Sequence, residues 1–371
     1  MPNSNNITSA RNTWIDSLKG ITILVVIAMH TNLYDLPGII GEIASFGVYS
    51  VQMFFIISAY FAFCSYSRSY DSNKSLKSNA THFYIGRFIR LAPIFYIFTI
   101  AYWLIQGGGG YWLGNQDHIT IGNLITHITF THGLFPHYTN SILGMEWYIG
   151  VLALFYFLTP LLYKLIDSLE KSLIWFSISV VACRIISTLL EHFCMPEVSD
   201  RYIYESFFVT FSLIVQFPIL LLGIVIYYLF KKTDFNNIEH KKASAYTLLF
   251  VALTLMIGTI LGNTCITGIS IYAQFAIIYF VIIISQKIHS TPIIDNPIFS
   301  LLGKHSWVLY LSHGLVIRFY NLYVPTPTTN VYINWLIYYC VVTIVSTCIA
   351  ILLTKWVETP VVNSLKKHLH Y

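Results

Sequence analysis

The sequence predicts an all-α protein: a polytopic membrane helix bundle of about ten transmembrane helices, with both termini cytoplasmic. Three observations carry this expectation. Of 371 residues, 56% are hydrophobic and only 10% are charged, against about a quarter charged in soluble domains. Apolar segments of about 17 to 25 residues recur along the whole chain, the length that crosses a hydrocarbon core of about 30 Å. The basic residues also fall almost entirely on one side of a ten-span alternation, the mark of cytoplasmic loops.

Taken in order, the spans are expected near 15–34, 44–66, 88–106, 144–165, 171–190, 206–230, 244–262, 266–286, 298–320 and 332–356. Residues 1–14 form a polar cytoplasmic tail, 15–356 the membrane domain and 357–371 a second cytoplasmic tail. The tail has no apolar core of the kind a cleavable signal peptide needs, so the first span is expected to direct insertion. Arg68, Lys74, Lys77, Arg87 and Arg90 cluster between the second and third spans, and Lys231, Lys232, Lys241 and Lys242 between the sixth and seventh. Only Arg184, Arg201 and Arg318 fall toward the other side. The net charge of +5 is therefore a topology signal and not a nucleic-acid footprint. Cys64, Cys183, Cys340 and Cys348 lie inside apolar segments and read as small hydrophobes. No Cys or His spacing of a metal site is present, so no metal is expected. The loop 107–143 carries Tyr111, Trp112, His118, His127, His132, His137 and Tyr138 with no Lys or Arg.

The chemistry is expected along the first span, Asp16 to His30. Lys19 and His30 are eleven residues apart. That interval returns to within roughly 20° of the same helix face and separates the two by about 16 Å. Almost everything between them is apolar, and polar groups at membrane depth face a protein interior or a wet cavity. His313, late in the ninth span, should reach a depth similar to that of His30. Arg87 and Arg90, at i and i+3, share a face at the start of the third span. Their guanidinium forks suit phosphate. With Lys19 they would seat a multiply phosphorylated molecule whose extended arm could reach His30.

These residues add up to a resemblance. The sequence resembles the acyltransferase 3 family of integral-membrane O-acyltransferases, over most of its length. Asp16-Ser17-Leu18-Lys19-Gly20 followed by His30 is similar to the family's opening and its R/K-x10-H pattern. Phe54-Phe55-Ile56-Ile57-Ser58-Ala59-Tyr60 resembles F-F-x-x-S-G-[FY], with Ala59 in place of the usual Gly. Arg87 to Pro93 matches R-x-x-R-x-x-P, and Trp147 through Tyr156 to Pro160 keeps the spacing of the family's tryptophan stretch. Leu152 stands where many members have an acid; Glu146 is the nearest carboxylate. Leu302-Gly303-Lys304-His305-Ser306 with Tyr310-Leu311-Ser312-His313 resembles L-G-x-x-S-x-x-[LI]-Y-L-x-H, and Glu358-Thr359-Pro360 the terminal E-x-P.

The resemblance implies an O-acyltransferase of the cell-surface glycan type without a fused esterase-like domain, in a bacterial cytoplasmic (inner) membrane. It implies an acyl-CoA donor, most often acetyl-CoA, with no permanently bound cofactor. Lys19, Arg87 and Arg90 would hold the donor. His30 would be general base or transient acyl carrier, a task suited to imidazole near neutral pH. His313 and Glu146 would assist it. Trp147, His137, Tyr111 and Trp112 would contact a glycan or lipid-linked sugar acceptor. The partners are then acyl-CoA, acceptor glycan and membrane lipid, with no nucleic acid. A proton-coupled transporter or flippase is the rival reading; its usual inverted repeats and paired broken helices are not evident in the sequence.

Overall fold

The computed structural model describes residues 13–32, 36–106, 119–195, 200–262, 270–325 and 328–369. Among them the structure is helical, without strands. In chain order the helices are α1 (Thr13–Thr31), α2 (Gly38–Ser45), α3 (Val51–Ser69), α4 (Leu76–Ile105), α5 (Ile121–Ile128), α6 (Trp147–Leu165), α7 (Leu169–Cys194), α8 (Arg201–Ser206), α9 (Leu213–Lys232), α10 (Lys241–Gly262), α11 (Ile271–Ile288), α12 (Pro297–Lys304), α13 (Ser306–Tyr323), α14 (Val331–Leu353) and α15 (Thr359–His368). Nine helical segments among the described residues are long and apolar enough to cross a membrane. The chain is a multi-pass membrane bundle.

Three expected elements differ in detail. The third span begins at Leu76, because the Ser75 side chain caps the helix by accepting from the Ser78 amide. Arg87 and Arg90 therefore do not open that helix. Arg87 lies eleven residues into it, about 16 Å along its axis. The ninth span is broken at His305 into α12 and α13. It is not among the nine apolar segments, since Ser306, Ser312, His313, Arg318 and Asn321 dilute its hydropathy. Its polar groups turn inward instead: Ser306, Ser312 and His313 are buried. The chain from 357 to His368, expected as part of a separate tail, continues α14 through a π-turn at Thr354–Glu358 into α15.

Two contacts explain how the centre is assembled. α1 crosses α12 with backbone against backbone. A Cβ on Gly20 would stand 2.0 Å from the Phe299 carbonyl oxygen, and one on Gly303 would stand 1.6 Å from that of Asp16. Only glycine permits this approach, and it sets the register of α13 against α1. α3 meets α9 in the same way at Gly223, whose missing side chain leaves room for the Ala59 methyl. α3 and α9 are enclosed, whereas α7, α10 and α14 turn apolar side chains such as Ile178, Phe250 and Ile344 outward. The ends of α6 and α9 and the start of α7 gather at one face, joined by the Lys232–Glu170 ion pair and by Tyr228 donating to the Ile166 carbonyl.

Candidate active site

A cavity of about 460 Å³ lies between α1, α3, α4, α6 and α13. Lys19 of α1, Arg68 of α3, and Arg87 and Arg90 of α4 all line it, and among the described residues Asp16 is its one lining carboxylate. Asp16 is already committed to Lys19, at 2.7 Å one turn away. The Arg87 guanidinium stacks 5.1 Å from the Phe83 centroid and 5.2 Å from that of Tyr156. One Nη2 donates to the Phe61 carbonyl at 3.4 Å. Stacking fixes the plane of the fork and leaves its other donors for a ligand. Such a surplus of cations in a half-enclosed space is a seat for polyanions.

Arg68 was not among the residues expected to bind a donor, since at a helix end it reads as a flanking charge. A signal was present on α3. Phe54, Ser58, Phe61, Cys64 and Arg68 recur at helical spacing and all face the cavity, so the Ser58 motif and Arg68 share one stripe.

The rings of Phe54, Tyr148 and Tyr310 line the cavity and touch one another, with centroids 6.2, 6.5 and 5.4 Å apart. Ser58 Oγ and Tyr148 Oη are hydrogen-bonded at 3.1 Å. One turn beyond Tyr310 on α13 is His313, with ring centroids 5.7 Å apart. His313 in turn meets His30, ring to ring at 5.1 Å and tilted by 55°. The two histidines expected at matching depth are thus in contact. His313 is fully buried, its Nδ1 is 3.3 Å from the Leu309 carbonyl, and its Nε2 has no hydrogen-bond partner. A neutral imidazole donating through Nδ1 keeps a lone pair on Nε2. Lys19 and His30 sit on one unbroken helix. The structure therefore forms two groups, the cations and the histidine pair, with Tyr310 lining the cavity of the first and touching His313 of the second.

Glu146 lies behind this arrangement. It is fully buried, and its carboxylate accepts from the amides of Ile142 at 2.6 Å, Leu143 at 3.1 Å and Met145 at 3.0 Å. His127 Nε2 is 3.4 Å from the same carboxylate, and His127 Nδ1 is 2.8 Å from the Asn123 carbonyl. Burial alone pushes the Glu146 carboxyl up; His127 and the Ile142 amide outweigh it and hold the group below the ordinary range. His132 stacks on His127 at 4.4 Å and bonds the Glu146 carbonyl at 3.1 Å. Burial, followed by the neighbouring His127, lowers its pKa to about 3. Glu146 thus organises residues 142–146, and the Met145 carbonyl accepts from Tyr310 Oη at 2.8 Å.

The remaining expected residues are dispersed. Trp147 is buried between Phe55 and Phe211, 5.8 and 5.0 Å away. His137 is 3.3 Å from Asp200 and edges onto Tyr204, with no contact to the histidine pair. Tyr111 and Trp112 lie outside the described residues.

A family model described as an acyltransferase domain matches residues 12–355. Relatives named "Putative O-acetyltransferase" in Staphylococcus aureus strains COL, MSSA476 and MRSA252 are each 23% identical over 345 residues, covering 87% of this chain and 53% of theirs. The chain thus spans about half the length of the curated relatives it matches. No solved structure matches it. The match over nearly the whole bundle, together with Lys19, the Arg87–Arg90 pair, His30 and His313 in the places just described, makes this chain a member of the integral-membrane acyltransferase 3 family.

Proposed function

We propose that the protein is an O-acyltransferase that moves an acyl group, acetyl in the simplest case, from cytoplasmic acyl-CoA to a hydroxyl of a cell-surface or lipid-linked glycan. The observation that carries this reading is the cavity lined by Lys19, Arg68, Arg87 and Arg90, placed along α1 from the His30–His313 pair. The cavity end of the bundle is taken as the cytoplasmic face of a bacterial inner membrane, because the Lys and Arg loops gather there. The donor's phosphates rest on the four cations. Its arm passes the rings of Phe54, Tyr148 and Tyr310 and brings the thioester to His30.

His30 takes the proton of the acceptor hydroxyl as that oxygen attacks the thioester carbonyl carbon. The C–O bond forms and the C–S bond breaks. The thiolate leaves and takes up the proton, so the base is regenerated. His313 holds the His30 ring, and Tyr310, tied to Met145, holds His313. Membranes carrying the protein, given radiolabelled acetyl-CoA, should transfer label into glycan. His30→Ala should lower that rate by about 10² to 10⁴ with the protein still inserted. Near-normal transfer by His30→Ala would remove His30 from the chemistry. No label transfer by the unmodified protein would remove the reaction.

A further inference from the structure

A second cavity of about 510 Å³ lies between α7, the break before α9 and the start of α11. On α7 it is lined by Val180, Cys183, Arg184 and Ser187, an i, i+3, i+4, i+7 stripe. Its depth follows from helical rise. Arg184 is fifteen residues past Leu169, which puts it about 22 Å from the face where Glu170 and Lys232 pair. Pro218 of α9 and Tyr272 of α11 lie at matching distances from their own ends at that face. The crevice therefore sits in the far half of the membrane layer, away from the cationic cavity.

The chain is unusual here. The sixth span is interrupted by a π-turn, Phe207–Phe211, and by Ser212 in extended conformation. π-turns within helices recur at functional sites. Several polar groups at the break find local partners, although the buried Ser212 Oγ has none. Thr210 Oγ1 pairs with Tyr272 Oη at 2.8 Å, Gln216 Nε2 donates to the Thr210 carbonyl at 2.7 Å, and Ser187 Oγ donates to the Phe208 carbonyl at 2.6 Å. Arg184 is the one charged side chain lining the crevice among the described residues. It is exposed, and it has no hydrogen bond or ion pair to any described residue. Around it Val181, Ile185 and Leu189 face outward. A guanidinium at this depth without a counter-ion among the described residues is costly, and its fork is shaped for phosphate.

We propose that this crevice binds an anionic membrane lipid, with the lipid phosphate on Arg184 and an apolar chain along the outward face of α7. The source is a lipid and not free phosphate, because the approach to Arg184 is apolar. The site is separate from the acyl-transfer centre, and the inference stands whether or not that reading does.

The test is photolabelling of the full-length protein in uncharged detergent by hexadecyl phosphate bearing a mid-chain diazirine, with labelled peptides mapped by mass spectrometry. Label should map to the α7 and α11 stretches lining the crevice. Unlabelled hexadecyl phosphate should compete, while hexadecanol and inorganic phosphate at the same concentration should not. Arg184→Gln should reduce labelling about tenfold or more, the loss expected when charge-assisted bonds are removed. Arg184→Lys should retain part of it. Val215→Trp, which fills the crevice and leaves Arg184 in place, should also block it. Equal competition by hexadecanol or by inorganic phosphate would overturn the proposal. So would undiminished labelling of Arg184→Gln or of Val215→Trp.

Discussion

At the scale of single residues, the cations and the buried histidines answer to different physics. Arg68 is exposed into the cavity and unpaired with any described carboxylate, so its value lies in what it can bind. Arg68→Ala should raise KM for acyl-CoA by about tenfold or more, as expected for a lost charge-assisted bond, while kcat at saturation stays within a few-fold. Steady-state kinetics with varied acetyl-CoA checks this, and an unchanged KM would return Arg68 to a purely topological role. His132 acts through stability. Its pKa is lowered from 6.5 to about 3, chiefly by burial. An unfolded His binds a proton below about pH 6.5 that the folded one refuses until about pH 3. Stability is therefore held above pH 6.5 and lost as pH falls through that window, at up to about 1.4 kcal/mol per pH unit. His132→Gln keeps a donor for the Glu146 carbonyl and removes the titration. Melting temperature should then fall less between pH 7 and pH 5 than in the unmodified protein; an identical fall would assign the pH dependence elsewhere.

At the scale of elements, close helix crossing decides where the chemistry can be. Gly303 packs its α-carbon against Asp16, whereas Gly258 in α10 has open space around it. Gly303→Ala should force α1 and α12 apart, costing about 1–3 kcal/mol in stability, and should lower acyl transfer by displacing His313 from His30. Gly258→Ala should be neutral or slightly stabilising, as in any exposed helix interior. Melting temperatures and transfer rates of the two variants check the pair, and equal behaviour would discard the crossing as the organiser. This scale also shows why parts of the site could be read from sequence and others could not. Lys19 and His30 share one helix, so their relation is local. The pairing of His30 with His313 depends on a crossing that no local pattern states, though matched depth hinted at it. α5 misleads outright: Ile121, Ile125 and Ile128 face out while Asn123, Thr126 and His127 are buried. With its polar face inward, a rule that buries apolar faces turns it the wrong way. The ninth span was expected at 298–320 as one segment, and its break at His305 has no local signal, because α13 hides its polar residues in protein rather than lipid.

At the scale of the whole molecule, the cation-lined cavity and the His30–His313 pair lie along α1, and the proposed function joins them into one site. Composition and segment length were enough to show the bundle, because lipid leaves few alternatives to helices. They were not enough to place the loop that ties Glu146 to Tyr310. The central claim is that a donor of fixed length spans Lys19 to His30, about 16 Å along an unbroken helix. The most direct measurement is glycan acylation by two insertion variants, after membrane levels and acyl-CoA binding have been confirmed. One alanine between Ile23 and Leu24 turns His30 by about 100° relative to Lys19; four residues bring it back to within about 40° but add about 6 Å. The account predicts that both variants bind acyl-CoA and that neither transfers the acyl group. Transfer by the four-residue variant at the rate of the unmodified protein would contradict it.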